Sequence, residues 1–265
     1  MNDLFNISDL YIYPIKGLSG VKVNDALVTE RGLKNDRRWM LVDEKNQFIS
    51  QRTFPQLCLF KIIPQQNSYT VTFNELSIEV PFEIHQGVII TVNIWADNVE
   101  ALVANEAINT FFSKLLKIKC SLVYMPDTAH RLVDKNFVDN DYSVNFSDGY
   151  PILIIGESSI NLLNQKLKMP ININRFRPNI VFTGGKAHSE DIWKNFMIND
   201  VKLSVVKPCA RCTVTTINQE NANISKEPLK TLATYRNFNN KINFGQNVIV
   251  LKEGKIKVGD EIKLL

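Results

Sequence analysis

The chain has 265 residues, of which 45% are hydrophobic and 22% charged, an ordinary balance for a soluble globular protein with one large core or two smaller ones. Its formal net charge of +4, from 31 Lys+Arg against 27 Asp+Glu, is too mild for a dedicated nucleic-acid binder but leaves room for a local basic pocket that holds an anion. The N-terminus lacks a basic segment followed by an apolar run, and the best apolar run, Pro151–Ile155, is far too short to cross a bilayer.

Short β-type runs dominate the first hundred residues. Leu10–Tyr13, Val21–Val28, Arg38–Asp43, Gln47–Gln51, Leu57–Ile63, Ser68–Phe73, Leu76–Val80 and Val88–Ile94 read as strands, separated by turn signals such as Lys16-Gly17 and Asp43–Asn46. Their regular spacing predicts a small barrel or sandwich. Over Asn98–Lys117 the spacing changes: Ala101, Leu102, Ala104, Ile108, Phe111, Phe112, Leu115 and Leu116 recur with helical period. A second helix is predicted over Ser158–Lys168, capped by Ser158 or Ser159, and a short one over Pro228–Tyr235. Between the helices, Ser121–Met125, Ile152–Ile155, Asn179–Thr183, Val201–Val206, Thr213–Ile217, Asn247–Lys252 and Lys255–Val258 read as strands. The polar, patternless stretch Asp127–Ser147 is expected to be a long loop. Together these elements predict a mainly β protein with a few helices, in the α+β class.

Only four cysteines occur, and two of them sit in Lys207-Pro208-Cys209-Ala210-Arg211-Cys212-Thr213. Cys58 and Cys120 are isolated, so a disulfide framework is not expected and a reducing cytoplasm fits better. A thioredoxin-like pair needs its first thiol at a helix N-terminus, whereas the β-branched run Thr213–Ile217 is a poor helix start. Structural zinc needs four ligands, and His85, His130 and His188 are scattered without ligand spacing. In an extended segment two residues an odd number apart face opposite ways, which favours one metal ligand and one structural thiol. The plain alternative is two small buried hydrophobes.

Several motifs resemble one family. Arg175–Val181, Glu190–Trp193 and Pro208–Thr213 are similar to the MOSC domain of molybdenum-cofactor proteins. Tyr13–Lys16 and Gly32–Trp39 resemble its usual N-terminal β-barrel partner, and Phe244–Gln246 with Lys257–Asp260 extends the likeness to the C-terminus. The resemblance implies a MOSC N-terminal β-barrel domain over 1–122, a MOSC β-barrel domain over 123–265, and a cofactor site between them.

It also implies roles. Cys212 matches the molybdenum-ligating cysteine and Cys209 the non-ligating one. Lys16, Arg37, Arg177, Asn179 and Arg211 match positions that bind the cofactor, a molybdopterin whose anionic tail suits Arg forks and Lys point charges. Arg52 is a further contact, unless it is a solvated surface charge. Asp148 falls where the family has an aspartate beside the cofactor, and it or a metal-bound water is the expected proton source; otherwise it is a turn residue. Gly149 and Tyr150 depart from the small hydroxyl residues of mitochondrial members. Trp39, Trp95 and Trp193 are expected in the core or at a domain interface, and His188 on the surface.

The implied activity is a molybdenum-cofactor-dependent oxidoreductase acting on small N-hydroxylated compounds: amidoximes, hydroxylamines and N-hydroxylated bases. Neither a ferredoxin-type cysteine cluster nor a flavin or nicotinamide fingerprint is visible, so a separate electron-transfer protein is expected. No membrane or stable nucleic-acid partner is expected. The alternative is a sulfur-transfer or cofactor-carrier protein of the same family; pyridoxal phosphate enters only through members that carry an aminotransferase-like domain, for which this chain has no room.

Overall fold

The computed structural model describes residues 4–265, and its dominant unit is a closed barrel of seven strands. Around the barrel run Ile152–Gly156, Ile180–Thr183, Phe5–Ile12, Glu261–Leu264, Asn195–Ile198, Val201–Ala210 and Lys241–Lys252, the last pairing back onto the first. One neighbouring pair is parallel, with Ile154 opposite Ile180, and helix Glu157–Lys166 lies on the crossover between those strands. Closure depends on Gly245. It has φ +78, and a Cβ there would meet Ile154 O at 2.9 Å and Ile155 Cγ1 at 2.6 Å, so only glycine lets the long strand Lys241–Lys252 cross so closely.

The first strand, Phe5–Ile12, is a stave of this barrel although every other stave lies beyond residue 150. Near the other terminus, Gly254–Lys257 leaves the barrel to pair with Asp25–Thr29, so the two chain ends interlock the two halves. The rest of the N-terminal half is a four-stranded sheet (Trp39–Asp43, Cys120–Tyr124, Asp97–Val103, Ile89–Ile94) and a three-stranded one (Lys61–Pro64, Ser68–Phe73, Leu76–Pro81). Helix Glu106–Leu116 packs on them. Asn105 caps it by accepting from the Ile108 N–H at 3.0 Å, and Ile108, Phe112 and Leu116 form its buried stripe. One apolar core runs without a break from Phe112 and Phe60 to the barrel residues Phe182 and Phe196.

Five expectations change. Asn98–Val103 is strand, not helix: Val99 and Ala101 are buried while Asn98 and Glu100 are exposed, a period of two that the helical spacing of Ala101, Leu102 and Ala104 disguised. Gln47–Gln51 makes only isolated bridges, and Leu57–Ile63 begins as a 3₁₀ turn over Pro55–Leu59 before its strand Lys61–Pro64. Helix Glu157–Lys166 begins with Gly156 as a cap that makes no side-chain bond, and the expected cap Ser159 spends its Oγ on Glu190. Thr213–Thr216 is a 3₁₀ turn. The hydroxyls of Thr215 and Thr216 donate back to the carbonyls of Cys212 and Thr213 at 2.9 and 2.7 Å, which lets a β-branched run tighten into a turn.

Candidate functional site

The two halves meet at one cleft, and its wall carries all eight side chains singled out in the sequence: Cys212, Asp148, Lys16, Arg37, Arg52, Arg177, Asn179 and Arg211. Five of them are cations and one is a carboxylate, so the cleft has a strong local excess of positive charge that the mild net charge of the chain conceals.

Tyr13 organises two of the arginines. The Arg37 and Arg177 guanidiniums lie over its ring, 4.5 and 4.2 Å from the centroid, and its hydroxyl donates to Pro178 O at 3.1 Å. Both arginines have left-handed backbones, φ 50 and 55, a conformation that costs a non-glycine residue about 1–3 kcal/mol and must be held by its surroundings. Arg37 is held by Asp36 Oδ2 at 2.6 Å, Asn179 Oδ1 at 3.2 Å and Arg177 O at 3.3 Å. Asn179 uses the rest of its amide inside the protein, accepting from Leu153 N and donating to Tyr11 O, both at 3.2 Å. It braces Arg37, and one of its two Nδ2 hydrogens is spent on Tyr11 O. Burial would lower the Arg37 value, but Asp36 overrides it and holds the guanidinium charged, whereas burial, with Arg37 beside it, pushes Arg177 down to about 10.

Lys16 is buried and donates to Asp148 Oδ1 at 2.5 Å. Burial pushes the ammonium down to about 8 in spite of this partner. For Asp148, the surrounding Lys16, Arg37 and Arg52 charges hold the exposed carboxyl well below the usual carboxylate range. At neutral pH Asp148 has no proton to give, so the expectation that it acts as a proton source does not suit its surroundings; it is an acceptor and a counter-ion. Arg52 is exposed at the rim of the cleft, where its guanidinium lies over the Trp95 ring at 4.3 Å.

The strand Val201–Ala210 carries the thiols to the cleft. Its register against Lys241–Lys252 shifts between Pro208 and Ala210, and the strand ends there. The alternation rule therefore does not reach Cys212, and both cysteines line the cleft instead of facing opposite ways. They still differ. Cys209 packs against the core and accepts from Arg211 Nη1 at 2.9 Å, while Cys212 is exposed with its thiol free. Arg211 also donates to Phe176 O at 2.7 Å, which fixes the guanidinium between the cysteines and the stacked Phe176–Phe244 pair.

Several polar atoms on cleft residues are buried without a partner: Arg177 Nη2, Arg211 Nε, Ser147 Oγ and Tyr150 OH. Unspent donors beside an excess of cations fit a multiply anionic ligand, and an exposed thiol at the same wall fits a soft metal carried by that ligand. The residues present thus fit the phosphate-bearing molybdenum cofactor implied by the resemblance. Tyr13, Asp36, Ser147 and Arg131 were not singled out in the sequence. Tyr13 and Asp36 lie inside recognised motifs, but the phenol ring as an arginine platform has no local signal. Trp95 is 49% exposed at the cleft and not in the core, whereas Trp39 and Trp193 are buried. His188 is not a surface residue either: its ring packs beside Tyr235 and Phe244, and burial with nearby Arg236 pushes it down to about 4.

The structure defines a mainly β protein with a closed barrel and a cation-lined cleft that exposes one thiol, and sequence comparison gives its family. It belongs to the MOSC family, with the MOSC N-terminal beta barrel domain matched over residues 4–119 and the MOSC domain over 141–263. The human mitochondrial amidoxime-reducing component 1 is 30% identical over 98% of this chain and 82% of its own length, and the rat component 2 is 30% identical over 97% and 82%. A molybdenum cofactor sulfurase of Oryza sativa is 29% identical over 91% of this chain, which spans 32% of that larger protein. No helix among the described residues is long and apolar enough to cross a membrane.

Proposed function

We propose that the cleft binds the molybdenum cofactor and that the protein is an oxidoreductase that reduces small N-hydroxylated compounds with electrons from a separate electron-transfer protein. The observation that carries this reading is the pairing, on one wall, of an exposed thiol at Cys212 with five cations and several unspent donors. The names of the human and rat relatives point the same way.

When bound, the cofactor supplies two-electron redox chemistry at its metal. The protein supplies everything else. Cys212 offers the thiolate ligand, and Cys209, bonded to Arg211, fixes the loop that presents it. Arg37, Arg177, Arg211 and Lys16 hold the anionic tail, with Arg52 at the rim and Asn179 bracing Arg37. Asp148, ionised and with its side chain 70% exposed, accepts an N–H or O–H of the substrate and so orients it. The protons consumed come from water at this open side. All four cysteines are free, which supports a reducing cytoplasm as the compartment.

The test is benzamidoxime reduction by purified, cofactor-loaded protein with reduced methyl viologen as artificial donor. Turnover that disappears in Cys212→Ser supports the proposal. A second reading, sulfur transfer or cofactor carriage, is favoured by the match to the rice sulfurase. Protein that holds cofactor yet reduces no amidoxime under any donor would select it.

A further inference from the structure

Arg131 lies in the irregular stretch between Tyr124 and Ile152, outside the cleft wall, and is only 5% exposed. Its guanidinium is almost fully spent. Nη1 donates to the carbonyls of Asn145 and Ser147 at 2.9 and 2.6 Å, Nη2 to the carbonyl of Asp148 at 3.2 Å, and Nε to Asp97 Oδ2 at 2.7 Å. One planar fork thus binds three carbonyls of a single four-residue strap. The other side of that strap is tied to the Arg37 turn: Phe146 N donates to Arg37 O at 3.0 Å, and Asn145 Nδ2 to Asp36 O at 2.8 Å.

The far end of Arg131 grips a second piece of the cleft. Asp97 follows the turn at Trp95, which has φ 58, stacks on Arg52, and directs its indole N–H toward Asp148 Oδ1 at 3.4 Å. Arg131 therefore joins the strap that bears Asp148 to the hairpin that bears Trp95. A Cβ at Gly149, next in the chain, would meet nothing within 4 Å, so no side chain there braces Asp148.

We propose that Arg131 is a positioning residue that holds the Asn145–Asp148 strap so that the Asp148 carboxylate stays on Lys16. Its role in the reaction rests on the function proposed above; its role in the pair does not. A guanidinium is needed because an ammonium cannot serve three carbonyls and a carboxylate in one plane.

The experiment uses cofactor-free protein and reads the pH midpoint of Lys16 acetylation by acetic anhydride, resolved by peptide mass spectrometry. In the parent, Asp148→Asn removes the partner that supports the ammonium and lowers the Lys16 midpoint by about one unit or more. With Arg131→Gln in place, the strap is loose and the same Asp148→Asn change moves the midpoint by less than half as much. Arg131→Lys behaves like Arg131→Gln if the fork matters. An Asp148→Asn shift of undiminished size in both Arg131 variants overturns the proposal. Should neither fold, Asp97→Ala frees one end of the guanidinium and must also shrink the shift; an unchanged shift there overturns it as well. Bound molybdenum is a separate readout, so failure of the cofactor reading would show there and not in the acetylation profile.

Discussion

Lys16 Nζ meets Asp148 Oδ1 at 2.5 Å across 132 residues of sequence, and the two partners differ sharply in exposure: the lysine side chain is 9% exposed and the aspartate 70%. An ammonium buried against one half-open carboxylate is a destabilising arrangement for the ligand-free protein. It is suited to a site where an anion arrives later, and several consequences follow from the charge state of each group.

Lys16 has its folded-state value near 8, below the ordinary 10.5. Between these values the unfolded chain holds the extra proton, so this group makes stability rise with pH across that window, and below about pH 8 the penalty is fully present. Lys16→Met at pH 7 should therefore stabilise cofactor-free protein in urea titrations, by on the order of 1–3 kcal/mol. Affinity for sulfate, whose charge is fixed over this range, should fall in calorimetry of the parent as pH rises through 8, and that fall should be absent in Lys16→Met. A destabilised Lys16→Met would contradict the account.

Asn179 is buried and braces Arg37, Leu153 N and Tyr11 O with one amide. Asn179→Ala strands all three at once, and each unsatisfied buried group costs about 1–3 kcal/mol. The expected loss is roughly 2–4 kcal/mol in chemical denaturation, allowing for partial relaxation. Asn179→Asp should lose less, because the carboxylate still accepts from Arg37. Equal losses in the two variants would show that the bond to Arg37 contributes nothing.

His188 has both ring nitrogens buried without partners, and its value is pushed down to about 4. The unfolded chain binds the proton first as pH falls, so the contribution is intact above about 6.5 and is lost progressively between 6.5 and 4. His188→Gln should flatten the acid side of the stability profile: the difference in unfolding free energy between pH 7 and pH 5 becomes smaller than in the parent. An unchanged difference would assign the acid sensitivity to other groups.

Much of the site was legible because its residues fall in compact motifs whose chemistry is explicit. Arg37, Arg177 and Arg211 read as forks for an anion, and Cys212 as a thiol flanked by cations. What the motifs could not convey is three-dimensional debt. Asp148 reads as an acid until Lys16, Arg37 and Arg52 are placed around it, and the bond from Arg37 to Asn179 has no signal in the sequence. Arg131 stood in a patternless loop, and only the fold shows that three carbonyls converge on it. In the fold, barrel strands such as Ile152–Gly156 were plain from their apolar runs. Asn98–Val103 was not, because alanine and leucine satisfy helical and strand periods equally well over a few residues. The Thr213–Thr216 turn was hidden by propensity, which ignores the hydroxyl bonds that close it.

The central proposal is the asymmetry of the two cysteines, with Cys212 as the metal ligand and Cys209 as its support. Its most direct test is the molybdenum and pterin content of parent, Cys212→Ser and Cys209→Ser, each purified from a host able to make the cofactor. The account predicts near-stoichiometric metal in the parent, loss of at least about nine-tenths in Cys212→Ser, and retention of most of it in Cys209→Ser. Metal-free parent protein, or equal losses in the two variants, would contradict it.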